Sequence, residues 1–203
     1  MTDLPSLFGQ IDIYLFDQLL RGRIVPGMTV LDAGCGRGRN LVFFLRHGYE
    51  TYAVDPDPDA IRTVRSLAER LSPHLPLSNF RGEAVESSSF PDHAADVVIS
   101  SAVLHFARDE SHFQAMLRGT WRLVKPNGLF FCRLASSIGM ESRFTSLGGR
   151  RFALPDGTER LLVDEPFLLA LTSELGGALL DPLKTTLVQD RRCMTTWVLR
   201  RVA

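Results

Sequence analysis

The sequence predicts a single-domain α/β fold built on a mostly parallel sheet. Short apolar, β-branched runs alternate with stretches of helical periodicity over most of the chain, and such alternation implies right-handed crossovers and a sheet covered on both faces. A glycine-rich segment, Gly34-Cys35-Gly36-Arg37-Gly38, lies between the first of these runs and the helix that follows it. The length, 203 residues, fits one domain at about 100 to 200 residues each.

Phe8, Ile11, Leu15 and Leu19 recur at steps of three and four and predict a helix over residues 7–20. Gly22 and Pro26-Gly27 end it, and residues 29–33 read as a short buried strand. A helix over 39–47, stopped by Gly48, leads to a strand over 50–55. A helix over 56–71 then carries Ile61, Val64, Leu67, Ala68 and Leu71 on one face. Strands follow over 77–82 and 95–100, then a helix over 110–124, the turn Lys125-Pro126-Asn127-Gly128 and a strand over 129–134.

Residues 136–159 are rich in Gly, Ser, Arg and Phe with weak periodicity, which predicts a long excursion over the sheet edge. A helix over 165–175 ends at Gly176-Gly177. The alternating runs 183–188 and 194–201 are joined by too few residues for a parallel crossover, so they form an antiparallel hairpin. The chain therefore divides into a helical lid (1–27), a ligand-binding core (28–134) and a substrate-side part (135–203).

Composition removes several function classes. Lys+Arg 23 balances Asp+Glu 23, so no global field draws the chain to nucleic acid or to an anionic membrane. Cys35, Cys132 and Cys193 are scattered without CxxC spacing and the histidines lack ligand-like spacing, so neither disulfide nor metal is expected. No basic-then-apolar leader is present and no uncharged apolar run approaches the ~18 residues of a membrane span; a cytoplasmic, soluble protein is the expectation.

The chemistry centres on the glycine loop. Gly34, Gly36 and Gly38 follow a strand and precede a helix, where missing side chains let backbone approach a ligand. Two ligand classes use such a loop: dinucleotides and S-adenosylmethionine. The dinucleotide pattern Gly-x-Gly-x-x-Gly fails here, because the third glycine position is Arg39. Asp32, at the end of the strand, would repel a diphosphate and suit an ammonium or sulfonium group. Asp55, after the second strand, can accept the hydroxyls of a ribose, which both classes possess. Together these acids predict a negatively lined crevice. His105 is the histidine nearest the carboxyl edge of the fourth strand, hence the candidate general base.

Val30-Leu31-Asp32-Ala33-Gly34-Cys35-Gly36-Arg37-Gly38 resembles motif I of the class I S-adenosylmethionine-dependent methyltransferases. Asp55 matches their acidic residue after the second strand, Gly82-Glu83-Ala84 resembles the adenine-contacting motif, Asp96 to Ser101 the fourth-strand motif, and Leu123 to Gly128 the turn before the fifth strand. Arg37-Gly38-Arg39-Asn40 is similar to the loop of tellurite-resistance-type members. The resemblance implies a doubly wound, Rossmann-like seven-stranded sheet of order 3-2-1-4-5-7-6 with strand seven antiparallel. It also implies a cofactor, S-adenosylmethionine, contacted by Asp32, Gly34, Cys35, Gly36, Asn40, Asp55, Pro56, Glu83, Ala84 and Ser100.

Within that family the acceptor is expected to be a small molecule. Enzymes that methylate nucleic-acid amines usually show Asn/Asp/Ser-Pro-Pro-aromatic after the fourth strand, where this chain has Ser100-Ser101-Ala102-Val103. Tyr14, Phe16, Phe106, Met140, Arg143 and Phe144 are candidate pocket walls, Arg143 being suited to an anionic group. The expected product is S-adenosylhomocysteine, and the expected state is monomer or homodimer. Two alternatives stay open at this point: a non-catalytic protein that binds the sulfonium cofactor, and an NAD(P)-dependent oxidoreductase.

Overall fold

The computed structural model describes residues 3–202; residues 1, 2 and 203, at the ends of the predicted lid and substrate-side part, lie outside the described residues. The predicted N-terminal helix is two helices, α1 (Leu4–Phe8) and α2 (Ile13–Leu20). Gly9 ends the first at φ 61°, and a Cβ there would lie 2.8 Å from Val42 Cγ2. Asp12 starts the second by accepting the Tyr14 amide at 3.0 Å. The apolar spacing continues across the break, but a glycine at positive φ and an N-cap aspartate within four residues interrupt the helical hydrogen bonds.

Strand β1 (Thr29–Ala33) runs into the glycine loop. Helix α3 (Val42–Arg46) is shorter than predicted, since the loop turns on Gly38 N–H to Cys35 O and Leu41 N–H to Gly38 O before helix begins. Strand β2 (Glu50–Val54) leads to α4 (Pro58–Leu71), capped by Asp57 on the Asp59 amide. The expected third strand is mostly a 3-10 turn over Leu77–Asn79, leaving β3 as Phe80–Arg81. Then come β4 (Ala95–Ser101), α5 (Glu110–Trp121), capped by Asp109 on the His112 amide, and β5 (Val124–Ala135).

The excursion differs from the expected loop. It folds into a small antiparallel sheet of β6 (Thr145–Gly148), β7 (Arg151–Ala153) and β8 (Glu159–Leu161). Its strands of three or four residues are too short to show alternation. Helix α6 (Glu165–Glu174), β9 (Gly177–Leu179), β10 (Lys184–Val188) and β11 (Arg192–Arg201) complete the chain.

The main sheet has the order β3-β2-β1-β4-β5-β11-β10, with β9 on the far end of β11. All pairings from β3 to β5 are parallel, whereas β11 is antiparallel to β5 and to β10. This is the predicted order, with β11 as strand seven and strand six split into β9 and β10. Helices cover both faces. On one, Trp121 and Trp197 each meet Phe130 edge-on at 5.8 Å; on the other, Leu15, Phe44 and Phe131 are fully buried. The strand order reverses between β1 and β4, so the carboxyl ends of these strands part and leave a crevice there, the usual ligand position in an open α/β sheet. Among the described residues no helix is long and apolar enough to cross a membrane.

Candidate functional site

The crevice is built from the glycine loop outward. Gly34 and Cys35 both donate their amides to Val54 O, at 2.8 and 3.0 Å, tying the loop to β2. Gly34 sits at φ 83°, and a Cβ there would lie 2.5 Å from Val103 Cγ2. Backbone conformation and close approach therefore both require glycine. Gly36 donates its amide to Asp55 Oδ2 at 2.8 Å, while Asp55 Oδ1 accepts the Asp57 amide at 2.9 Å. Asp55 thus braces the loop and the start of α4, and each carboxylate oxygen keeps a lone pair for a ligand. Gly34→Ala is expected to destabilise the protein by about 1–3 kcal/mol through strain and overpacking against Val103; urea unfolding reads this, and unchanged stability would contradict the close approach.

These groups line a cavity of about 700 Å³, within the ~300–1,000 Å³ of small-molecule sites. Gly34 to Arg37, Asp55 and Pro56 form one side, Ala84 to Glu86 and Ser101 to Val103 another, and Gln10, Phe106, His112 and Met116 close it. The wall is not uniformly acidic as expected: Asp55 and Glu86 share it with Arg37 and Arg39. Glu86 is engaged by His112 Nε2 at 3.1 Å.

Asp32 lies under the loop and outside that wall. It is 1% exposed, and neither carboxylate oxygen has a hydrogen-bond partner. Burial pushes its pKa up to about 7, reinforced by the Asp55 charge and opposed by Arg39 and the Asn40 amide. Such a shift corresponds to about 4 kcal/mol of penalty on the ionised form in the ligand-free protein. A cation brought near would offset that penalty.

Asp12 ties the N-terminal segment to the site. Its side chain is wholly buried, and Oδ2 accepts from Arg133 Nη1 at 3.1 Å, Ser101 Oγ at 3.2 Å and Arg39 Nη2 at 3.5 Å. Its own amide donates to Asn40 Oδ1 at 3.0 Å. Arg39 also donates to Ser101 Oγ at 2.8 Å. Nothing in the sequence marks Asp12, since its partners come from β4, β5 and the glycine loop.

The structure brings Gly34, Cys35, Gly36, Asn40, Asp55, Pro56 and Ala84 to one cavity. Besides Asp32, three of the cofactor-contacting and catalytic residues named from sequence lie off its wall. Glu83 turns its carboxylate onto the Ser89 amide and hydroxyl, at 2.7 and 2.6 Å. Ser100 is fully buried with its Oγ unpartnered, and Ser101 takes its place on the wall. His105 belongs to a neighbouring cavity. The Cys35 and Cys132 thiols are held well above the ordinary range by burial, so neither is a thiolate. Among the described residues no group of three or more His, Cys, Asp or Glu is placed to hold a metal ion.

Of the expected acceptor walls, Phe106 lines both cavities. Tyr14 is used by Thr186 Oγ1 at 2.6 Å, Phe16 packs on Phe8, Met140 is buried, and Phe144 packs on Phe152. Arg143 is exposed and faces Asp190 at 3.5 Å, outside the lining of either cavity.

The neighbouring cavity, of about 380 Å³, lies between the carboxyl ends of β4 and β5, the amino-terminal start of β11 and the small sheet. His105 accepts the Ala135 amide on Nδ1 at 3.0 Å. Burial, with a contribution from Arg160, lowers its pKa to about 4. The ring is therefore neutral with its proton on Nε2, so the nitrogen left for a ligand is a donor.

A parallel sheet with a glycine loop and an acidic second-strand terminus facing one crevice is the arrangement with which open α/β folds bind nucleoside-containing cofactors. Comparison with known proteins narrows the class. Residues 31–132, half of the chain, match the methyltransferase domain family, and the chain belongs to that family. It is 29% identical over 159 residues to a ubiquinone biosynthesis O-methyltransferase of Methylobacterium sp. (strain 4-46), covering 75% of this chain and 60% of that protein. A second O-methyltransferase of that name, from Methylocella silvestris, is 32% identical over 109 residues, covering 54% and 40%. The chain thus spans about 40 to 60% of the length of these two relatives. Among solved structures, the Burkholderia thailandensis 1,6-didemethyltoxoflavin-N1-methyltransferase, with its substrate and S-adenosylhomocysteine bound, superposes with a TM-score of 0.68 at 21% identity, covering 93% of this chain and 76% of that one.

Proposed function

We propose that this protein transfers a methyl group from S-adenosylmethionine to a small-molecule acceptor. The observation that carries the reading is the meeting of the glycine loop and Asp55 on one wall of a cavity at the switch point of the sheet. The residues present fit the cofactor. Gly36 lines the cavity with open space where a Cβ would stand, Asp55 has open lone pairs for a ribose diol, and Asp32 is a buried carboxylate without a partner. Ala84 and its neighbours would border the base. Asn40, its Oδ1 held by the Asp12 amide, borders the same cavity.

When bound, the cofactor supplies an electrophilic methyl group on a sulfonium. The chain's task is then to align an acceptor and exclude water, and positioning alone can lower a barrier by roughly 7–11 kcal/mol. His105 enters as a hydrogen-bond donor and not as a general base, because its Nδ1 is occupied and its Nε2 is protonated. The small-molecule class is supported by the named relatives, whose own names refer to ubiquinone biosynthesis and a toxoflavin precursor, and by a formal charge of zero, which offers no field for nucleic acid. The proposal includes a cytoplasmic setting and a monomeric or homodimeric state.

Calorimetric titration with S-adenosylhomocysteine and, separately, NADH tests the cofactor. Binding of the former alone is expected. Asp55→Ala should weaken it by about 1.5–3 kcal/mol, the worth of charge-assisted hydrogen bonds; unchanged affinity, or binding of NADH only, would end the assignment. Incubation of cell extract with methyl-labelled cofactor, read by mass spectrometry, tests transfer.

A further inference from the structure

The second cavity has a chemistry of its own. Arg39, Arg133, Arg160 and Arg192 line it, and the one carboxylate on its wall is Asp156. Asp156 Oδ1 accepts both the Thr158 amide at 3.0 Å and the Thr158 hydroxyl at 2.6 Å, and its charge offsets part of that of Arg160 and Arg192. Asp12, which faces Arg39 and Arg133 from behind, is the other acid in contact with the cluster. Guanidinium groups therefore outnumber carboxylates, and the Arg133 Nε is buried with no partner. The His105 Nε2–H adds one more donor to the same lining. Arg160 is held by the Glu159 carbonyl at 2.7 Å, with its guanidinium 4.7 Å from the Phe106 ring centroid.

A cavity of donors with spare positive charge selects an anion, and guanidinium forks match the geometry of carboxylates and other small oxyanions. The cavity shares Arg39, Ala102 and Phe106 with the larger one, so a molecule anchored here extends toward the cofactor crevice. We propose that this cavity is the acceptor site and takes an organic acid, its carboxylate held by Arg133, Arg160 and Arg192 and its body lying against Phe106. This rests on the methyltransferase reading for the word acceptor, but the anion site stands on its own geometry.

The test titrates the protein, saturated with S-adenosylhomocysteine, with benzoate and with benzamide, a matched pair differing in charge. Benzoate is expected to bind in the millimolar range and at least about tenfold more tightly than benzamide. The Arg160→Gln, Arg192→Gln double variant should lose that preference while keeping its affinity for S-adenosylhomocysteine, since neither arginine lines the larger cavity. Equal binding of acid and amide, no binding of benzoate at millimolar concentration, or a preference that survives in the double variant would overturn the proposal. A wild-type protein that binds benzoate but not S-adenosylhomocysteine, in a titration run without cofactor, would instead overturn the cofactor assignment and leave the anion site standing.

Discussion

Asp32→Asn is expected to make the cofactor-free protein more stable at pH 8 by about 4 kcal/mol. The buried carboxyl has a folded pKa near 7 against 3.8 in the unfolded chain. With the folded value raised, the folded state binds more protons between those two pH values. The stability linked to this group is therefore fully present below about pH 4 and is lost as pH rises through 7. Asparagine mimics the protonated acid at every pH, so the two proteins should match near pH 4, diverge up to about pH 7 and differ by a constant amount above it. Urea unfolding across that range reads the difference directly, because other titrating groups are common to both. Parallel curves would show that Asp32 is solvated or paired in solution. The same variant should bind S-adenosylmethionine more weakly, an exchange of stability for function of the kind functional sites often show.

Asp12→Ala carries the other large effect. It removes the acceptor that faces Arg39, Arg133 and Ser101 and also uncaps α2. Breaking a buried pair from one side typically costs about 3–5 kcal/mol; both arginines are partly exposed, so the lower end, about 3 kcal/mol, is expected. Because Gln10 closes the main cavity two residues earlier, affinity for S-adenosylhomocysteine should fall as well, and limited proteolysis should cut faster between α1 and β1. A variant with wild-type stability and proteolytic resistance would show that the N-terminal segment is held by its apolar face alone.

Much of this architecture was legible because its signals are local. The β-branched runs that became β1 and β4 are buried on both faces, and the glycines of the Gly-Cys-Gly-Arg-Gly segment permit the positive φ angles that a tight turn needs. The antiparallel end of the sheet followed from the length of one link. What the sequence hid depends on distant partners. The break at Gly9 is enforced by Val42, and the small sheet of β6, β7 and β8 forms from segments too short to carry a period. At the site, Asp55 was readable from its distance to the glycines. Glu83 and Ser100 were named by motif position, which does not reveal that Ser89 engages one and that the other points into the core. The arginines of the second cavity are scattered from Arg39 to Arg192, and only the meeting of β5, β8 and β11 at one edge assembles them.

Arg39 forms part of both chambers and reaches back to Asp12 and Ser101. A ligand on either side that displaces this guanidinium from the partition it forms with Ala102 and Phe106 changes the affinity of the other side, and linkage requires that change to be equal in both directions. Titrations of S-adenosylhomocysteine and benzoate, alone and together, should accordingly contain a cross term, equal in both directions, and replacing that side chain should reduce it.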